Sequence, residues 1–228
     1  MKLLALDTST EACSVALLMQ GDILALDEVC PQQHSKRVLP MIDSLLAEAG
    51  LNLTSLDGIV FGRGPGSFTG VRIGVSVAQG LAFGADLPVF GVSTLAAMAQ
   101  AAVRLHQASQ VVAAIDARMA EVYLASYRTD HNGLVQQLTA EQAIKPPLLA
   151  PLGLTGEVMA VGTGWQTYAA ELQQAQSARI ADDILYPSAR DMLTLARPAF
   201  YAGAFVVAEQ AEASYVRDEV SWKKLPGR

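Results

Sequence analysis

The sequence predicts a two-lobed α/β fold in which mixed sheets are flanked by helices. Three observations lead there. Three short strand-like runs open the chain and give way to alternating helical and strand-like segments; the same order starts again near the middle; and two short motifs occur in both halves, in the same order and after similar strands.

The elements follow in order. Residues 2–7, 13–19 and 22–29 read as strands joined by tight turns, the second at Gln20-Gly21-Asp22. A helix fits residues 35–49, with Val38, Ile42, Leu45 and Ala49 at three- and four-residue steps, and Gly50 stops it. Pro40 inside it predicts a kink or a late start. Residues 59–61 form a brief apolar strand before the loop Gly62-Arg63-Gly64-Pro65-Gly66-Ser67-Phe68-Thr69-Gly70. A helix over 71–83, a strand over 88–92 and a helix over 94–105 complete the first half.

In the second half, 111–116, 121–127 and 134–140 read as strands, and 158–161 as a fourth. A polar surface helix is predicted over 169–180, and a long helix over 190–210 that Pro198 bends or divides. The segment Ala5-Leu6-Asp7-Thr8-Ser9 resembles Ala114-Ile115-Asp116-Ala117-Arg118, which aligns Asp7 with Asp116. Gly62-x-Gly64 has a counterpart in Gly162-x-Gly164. Three strands followed by alternating helices and strands imply a mixed sheet with helical cover. Built twice, this is the two-lobed actin-like ATPase architecture (ASKHA, a duplicated RNase H-like fold). The expected lobes are residues 1–106 and a degenerate 107–228, whose last helix and tail are candidates to pack back on the first.

Composition narrows the function. Of the 228 residues 51% are hydrophobic, ample for a core, and 17% are charged, below the usual quarter. A net charge of −6 leaves no extended basic footprint to displace counterions from phosphates, so a role near RNA is expected to run through a partner. The locally basic segment is the tail, with Arg217, Trp222, Lys223, Lys224 and Arg228. Cys13 and Cys30 form no CxxC pair. The N-terminus meets Asp7 and Glu11 before an apolar run develops, and no stretch has the length of a membrane span. A cytoplasmic protein without a membrane association is expected.

Four constellations could carry chemistry. Asp7-Thr8-Ser9-Thr10-Glu11 stands where nucleotide-binding relatives of this architecture place a phosphate hairpin. It holds no glycine, and Glu11 would repel phosphate; its hydroxyls could equally satisfy the turn. Asp7 is a candidate for a vestigial metal or water site. The loop over 62–70 is a weak candidate anion cradle through Gly64, Gly66 and Ser67, but Val71 stands where a P-loop needs lysine, and Ser67 or Thr69 could simply cap the helix. His34, His106 and His131 share no ligand spacing, and His34 reads as a capping or surface residue. The helix over 71–83 is apolar nearly all round, with Gly74, Ala78 and Ala82 on one stripe and Gly80 and Gly84 on another. It must pack on a neighbouring lobe or on another subunit.

The run Gly-Arg-Gly-Pro-Gly-Ser-Phe-Thr-Gly-Val-Arg-Ile-Gly over 62–74, followed by Ala-Gln-Gly-Leu-Ala over 78–82 and Gly-Val-Ser-Thr-Leu over 91–95, resembles the TsaB/YeaZ family. The opening hairpin, His34-Ser35 with Leu39-Pro40-Met41, Ile115-Asp116-Ala117-Arg118 with Glu121-Val122-Tyr123, and Tyr215-Val216-Arg217 with Trp222-Lys223-Lys224 are also similar to it. Residues 143–184 carry no matching motif. The resemblance implies a relative of TsaD, the catalytic subunit that transfers a threonylcarbamoyl group from threonylcarbamoyl-AMP to N6 of tRNA adenosine 37. TsaD's relatives carry Asn-His-x-x-x-His for their metal; here the matching place holds Thr94 and Met98. A non-catalytic subunit without cofactor or metal is therefore expected. Its expected partners are a TsaD-type subunit and a TsaE-type ATPase, with a homodimer when alone and tRNA met only indirectly. The expected interface is Leu39, Ile42 and Leu46 with Gly74, Val77, Ala78, Leu81 and Ala82. The alternative is a small actin-like-fold kinase or a metallopeptidase-like enzyme.

Overall fold

A computed structural model describes residues 1–217, so the expected basic cluster at Trp222, Lys223, Lys224 and Arg228 lies outside the described residues. The first sheet has the order β3-β2-β1-β4-β5, built from β1 (Lys2–Asp7), β2 (Ala12–Met19), β3 (Asp22–Val29), β4 (Gly58–Gly64) and β5 (Val89–Ser93). β1 to β3 form an antiparallel meander, and β4 and β5 run parallel to β1. The central β1 is buried on both faces and reads as a continuous apolar run. β3, at the edge, carries Asp22, Asp27 and Glu28, charges that discourage edge pairing.

Helices α1 (His34–Ala49) and α2 (Phe68–Ala85) cover one face of this sheet. α1 runs through Pro40 without the expected late start. Its buried Val38, Met41, Ile42, Leu45 and Leu46 each contribute roughly 1.5–3 kcal/mol, more together than the ~3 kcal/mol an internal proline costs. Gly50 ends it in the left-handed conformation at φ 62°, its N–H returning to Ala47 O at 3.1 Å.

The second sheet repeats the plan. Its strands are β6 (Gln110–Arg118), β7 (Glu121–Thr129), β8 (Val135–Gln137), β9 (Gln142–Ile144), β10 (Met159–Val161) and β11 (Arg179–Ile180), in the order β11-β10-β6-β7-β8 with β9 also beside β7. β6 and β7 pair antiparallel, and β10 and β11 run parallel to β6. Helix α4 (Thr163–Ala175) joins β10 to β11 as α2 joins β4 to β5. Where the first half has α1, the second has a single 3-10 turn, Pro146–Leu148, and a loop.

The two remaining helices are exchanged. α3 (Thr94–His106) follows the first sheet but puts Leu95, Met98, Ala99 and Ala102 into the second core. α5 (Ala189–Tyr201) follows the second sheet but puts Ala189, Met192, Leu193 and Ala196 against Leu3, Ala5, Ala16 and Leu18 of the first. Where α3 meets α5, Arg104 Nε and Nη2 donate to both oxygens of buried Asp191 at 2.8 and 2.7 Å. Burial nevertheless leaves the Asp191 carboxyl above the usual carboxylate range.

Three expectations are corrected. The helix predicted over 169–180 starts at Thr163 and ends at Ala175, because Trp165 and Leu172 anchor it and residues 179–180 extend the sheet instead. The helix predicted over 190–210 ends at Tyr201, soon after Pro198. Gly203 at φ 69° then turns the chain so that Val206 pairs with Val89. The internal alignment also slips. Leu6 pairs with Phe61, which sets Asp7 beside Gly62, whereas Ala113 pairs with Val161, which sets Ala114 beside Gly162. If the glycines correspond, the counterpart of Asp7 is Ala114 and not Asp116.

Candidate functional site

The site sits where the β1–β2 turn meets the glycine loop between β4 and α2. Each of four glycines abuts this turn. A methyl group added at Gly62 would stand 1.8 Å from Asp7 Oδ2; at Gly66, 2.3 Å from Ser9 O; at Gly70, 2.2 Å from Thr8 O; and at Gly74, 2.8 Å from Thr8 Oγ1. Hydrogen bonds lock the contact. Ser67 N–H donates to Ser9 O at 2.7 Å, and Thr8 Oγ1–H donates to Gly70 O at 2.7 Å. Gly70 N–H is taken by the Ser67 hydroxyl at 3.3 Å, so Ser67 is the helix cap. Gly64 faces away from the turn, with Ser214 O 2.9 Å from where its methyl would lie, and it adopts φ 97°, which favours glycine. In the weak anion cradle the Ser67 amide is thus bonded to the chain's own backbone, and Gly64 and Gly66 abut that backbone.

Beneath the loop, Asp7 is fully buried. Its Oδ1 accepts from the Ser9 amide and hydroxyl, both at 2.8 Å, while Oδ2 has no partner among the described residues. Burial pushes the Asp7 carboxyl up to about 6, against the opposing pull of the Ser9 hydrogen bonds and of His34. His34 is not the surface or capping residue expected. It is the first residue of α1, buried, with Nε2 unpartnered among the described residues, and Gln33 holds the cap position.

The places expected of imidazole ligands are occupied otherwise. Thr94 Oγ1 lies 3.0 Å from Ser9 Oγ, tying α3 to the first hairpin, and Met98 is buried in the second core. A methyl group on Gly162 would stand 2.7 Å from Met98 Cε. Among the described residues, no group of three His, Cys, Asp or Glu side chains could hold a metal.

The second hairpin is built differently. Arg118, Met119 and Ala120 all adopt positive φ, at 63°, 56° and 58°, without a glycine. Asp116, half-buried, accepts the Arg118 amide at 2.8 Å, and Arg118 Nη2 reaches Glu11 of the first hairpin at 2.8 Å.

The expected interface set divides. The stripe Gly74, Ala78 and Ala82 faces inward: Gly74 meets Thr8, and Ala78 and Ala82 sit in the first core with Ile42 and Leu46. The backbone that these small residues admit is that of the chain's own hairpin and sheet, because α2 must close on the turn below it. Leu39 at 43% exposure and partly exposed Val77 and Leu81 remain at the surface, as do exposed Gly80, Phe83 and Gly84 of α2. Sequence reasoning missed the buried His34 and the shared role of the four glycines; the small hydroxyl residues Thr8 and Ser9 opposite a loop this rich in glycine were the available signal.

A mixed sheet built twice in one strand order, with helical cover and a glycine loop closing the first hairpin, defines an α/β protein of the actin-like ASKHA type. A family model described as "TsaD: tRNA N6-adenosine threonylcarbamoyltransferase" matches residues 26–220. The chain is 48% identical to the tRNA threonylcarbamoyladenosine biosynthesis protein TsaB of Escherichia coli K12, each covered over its full length. It is 49% identical to the protein of that name from Haemophilus influenzae, across 99% of this chain and 98% of the other. The solved structure of YeaZ from Pseudomonas aeruginosa is similar at a TM-score of 0.88 and 47% identity, covering 94% of this chain and 99% of that one. The chain belongs to the TsaB family.

Proposed function

We propose that the protein serves tRNA N6-threonylcarbamoyladenosine formation as a non-catalytic subunit that supports a TsaD-type transferase, together with a TsaE-type ATPase. The observation that carries this reading is the filled cradle. Gly62, Gly66, Gly70 and Gly74 close on Asp7, Thr8 and Ser9, and the Ser67 and Gly70 amides that could face a phosphate are already bonded within the chain. Met98, packed in the core at the place of an imidazole ligand, supports the same reading and disfavours the kinase and metallopeptidase alternatives. The net charge of −6 favours tRNA contact through the partner. No described helix is long and apolar enough to cross a membrane, compatible with work on tRNA in the cytoplasm.

The docking surface of this proposal is the outward side of α2 with Leu39 of α1, used by a second copy when the chain is alone and by the TsaD-type subunit in the complex. Gly80 is the place to test it, since nothing lies within 4 Å of an added methyl group there. Gly80→Arg is expected to keep the fold, gaining about 1 kcal/mol of helix propensity, while abolishing dimerisation and stimulation of the TsaD-type subunit. Reconstitution with TsaD and TsaE homologues should show no tRNA modification by this chain alone and strong dependence of the complex on it. Stoichiometric ATP binding by the isolated chain, or modification without partners, would overturn the reading.

A further inference from the structure

The C-terminal part of the described chain crosses from one lobe to the other. Ala208 is buried in the first core, and its carbonyl accepts from Gln79 Nε2 of α2 at 3.1 Å. Ser214 N–H donates to Arg63 O in the glycine loop at 2.7 Å, and Ser214 O closes on Gly64. Tyr215 then lies beside Phe68 with ring centroids 5.7 Å apart, and its hydroxyl accepts from Arg72 Nε at 3.0 Å. The Arg72 guanidinium stacks 3.4 Å from the centre of the Phe68 ring. Two residues on, Arg217 Nη2 donates to Ala117 O at 3.1 Å and to Glu121 Oε2 at 2.5 Å, on the strands flanking the second hairpin.

We propose that residues 211–217 form an interlobe strap, closed in this structure, whose far end is a releasable latch made by Arg217. The two ends are unequal. The near end runs out of a buried anchor at Ala208 and a backbone hydrogen bond to the glycine loop. Among the described residues, the far end is a single guanidinium on a partly exposed carboxylate and one carbonyl, with the Tyr123 ring 5.7 Å away, and no core side chain or backbone N–H holds it. The strap belongs to neither sheet, and only Ala211 at its start packs against the first core, so both sheets keep their strands and their buried side chains when the residues beyond it lift. Closed, it covers the flank of the glycine loop at Gly64, leans on Phe68 and Arg72 of the first turn of α2, and holds the second hairpin by its strands. Open, it uncovers that flank and leaves the hairpin tied to the first lobe through Arg118 on Glu11, so a ligand or partner entering between the two must displace Arg217. These contacts lie wholly within the chain and do not depend on the proposed docking surface.

Amide hydrogen exchange on the full-length protein tests the latch. Arg217→Ala is expected to raise exchange on the order of tenfold at residues 62–70 and 116–122 together, leaving the central β1 and β6 amides at their native protection. Arg217→Lys keeps the charge for Glu121 but not the planar fork that spans both acceptors, and should fall between the two. Glu121→Gln should reproduce part of the Arg217→Ala effect through a different residue. If faster exchange is confined to residues 215–217, the strap closes nothing. If protection falls throughout β1 and β6, the contact belongs to the core and is no latch. Either result overturns the proposal.

Discussion

The β1–β2 turn is buried under a glycine loop, whereas the β6–β7 turn stands at the surface on three consecutive left-handed residues. In the first lobe the approach leaves no space for a side chain: glycines that lack a Cβ make room for the hairpin, and Asp7 has one bonded oxygen and one without a partner among the described residues. In the second lobe the turn is held from outside, by Arg118 on Glu11 and Arg217 on Glu121, and the buried contacts pass to Trp165, whose indole N–H donates to Val112 O at 3.1 Å. One strand order therefore supports two kinds of closure. The first admits no added volume between loop and hairpin turn; the second keeps such closeness at Gly162 and Gly164 against Ala114, but its turn is clear of the glycines and tolerates change at its rim.

The largest effect expected from this contrast is at Gly62. A methyl group 1.8 Å from Asp7 Oδ2 can be relieved only by turning the buried carboxylate away from the Ser9 amide and hydroxyl that hold its Oδ1, so Gly62→Ala should cost about 4 kcal/mol and yield little folded protein. Adding Asp7→Ala removes the clashing carboxylate and should recover part of the loss in chemical denaturation. A soluble Gly62→Ala with wild-type stability would break the comparison. Trp165→Ala, the matching test in the second lobe, should cost roughly 3–5 kcal/mol through a cavity beside Val112 and Ala114.

Asp7→Asn should act in the opposite direction. With its carboxyl raised to about 6 in the folded chain against 3.8 in its absence, Asp7 binds a proton more tightly when folded. Its contribution to stability is full below pH 3.8 and is lost as pH rises through about 6. At pH 7.5 the removal of this buried charge can return up to about 3 kcal/mol, the equivalent of a shift of roughly two units. The variant's denaturation midpoint should therefore exceed the wild type's at neutral pH and converge with it toward pH 4. A variant less stable at pH 7.5 would show that the ionised carboxylate is needed there. The smallest effect is expected at Met119, exposed at φ 56°: Met119→Gly should raise stability by up to about 1 kcal/mol, measured by thermal unfolding.

The regions that were legible in the sequence are those where local pattern and tertiary role agree. β1, β3 and α3 carry their periodicity and turn residues at their own ends, and Gly50 marks the end of α1 directly. α4 was misplaced because its anchors, Trp165 and Leu172, are few, and the helix between them and around them is largely polar. The length of α5 was overestimated because the stop at Gly203 serves a turn that brings Val206 to Val89, a distant partner that no local pattern announces. The candidate site was half legible. Its glycines were visible, but a glycine looks the same whether it makes room for a phosphate or for Ser9 O. The inward stripe Gly74, Ala78 and Ala82 was misread for the same reason, since small residues declare a close approach without naming what approaches.

The exchange of α3 and α5 also bears on how the chain can be made and cut. Each sheet is finished by a helix encoded on the other side of the midpoint: Ala189, Met192, Leu193 and Ala196 complete the first core, while Leu95, Met98, Ala99 and Ala102 complete the second. On the ribosome, the strands at the start of the chain must wait for α5 to emerge before one face of their sheet is covered. A break between α3 and β6 would separate neither lobe with its own complement of helices. The two fragments would each expose an apolar sheet face until they met again, so that folding, proteolytic resistance and inheritance through evolution all act on the chain as one indivisible unit.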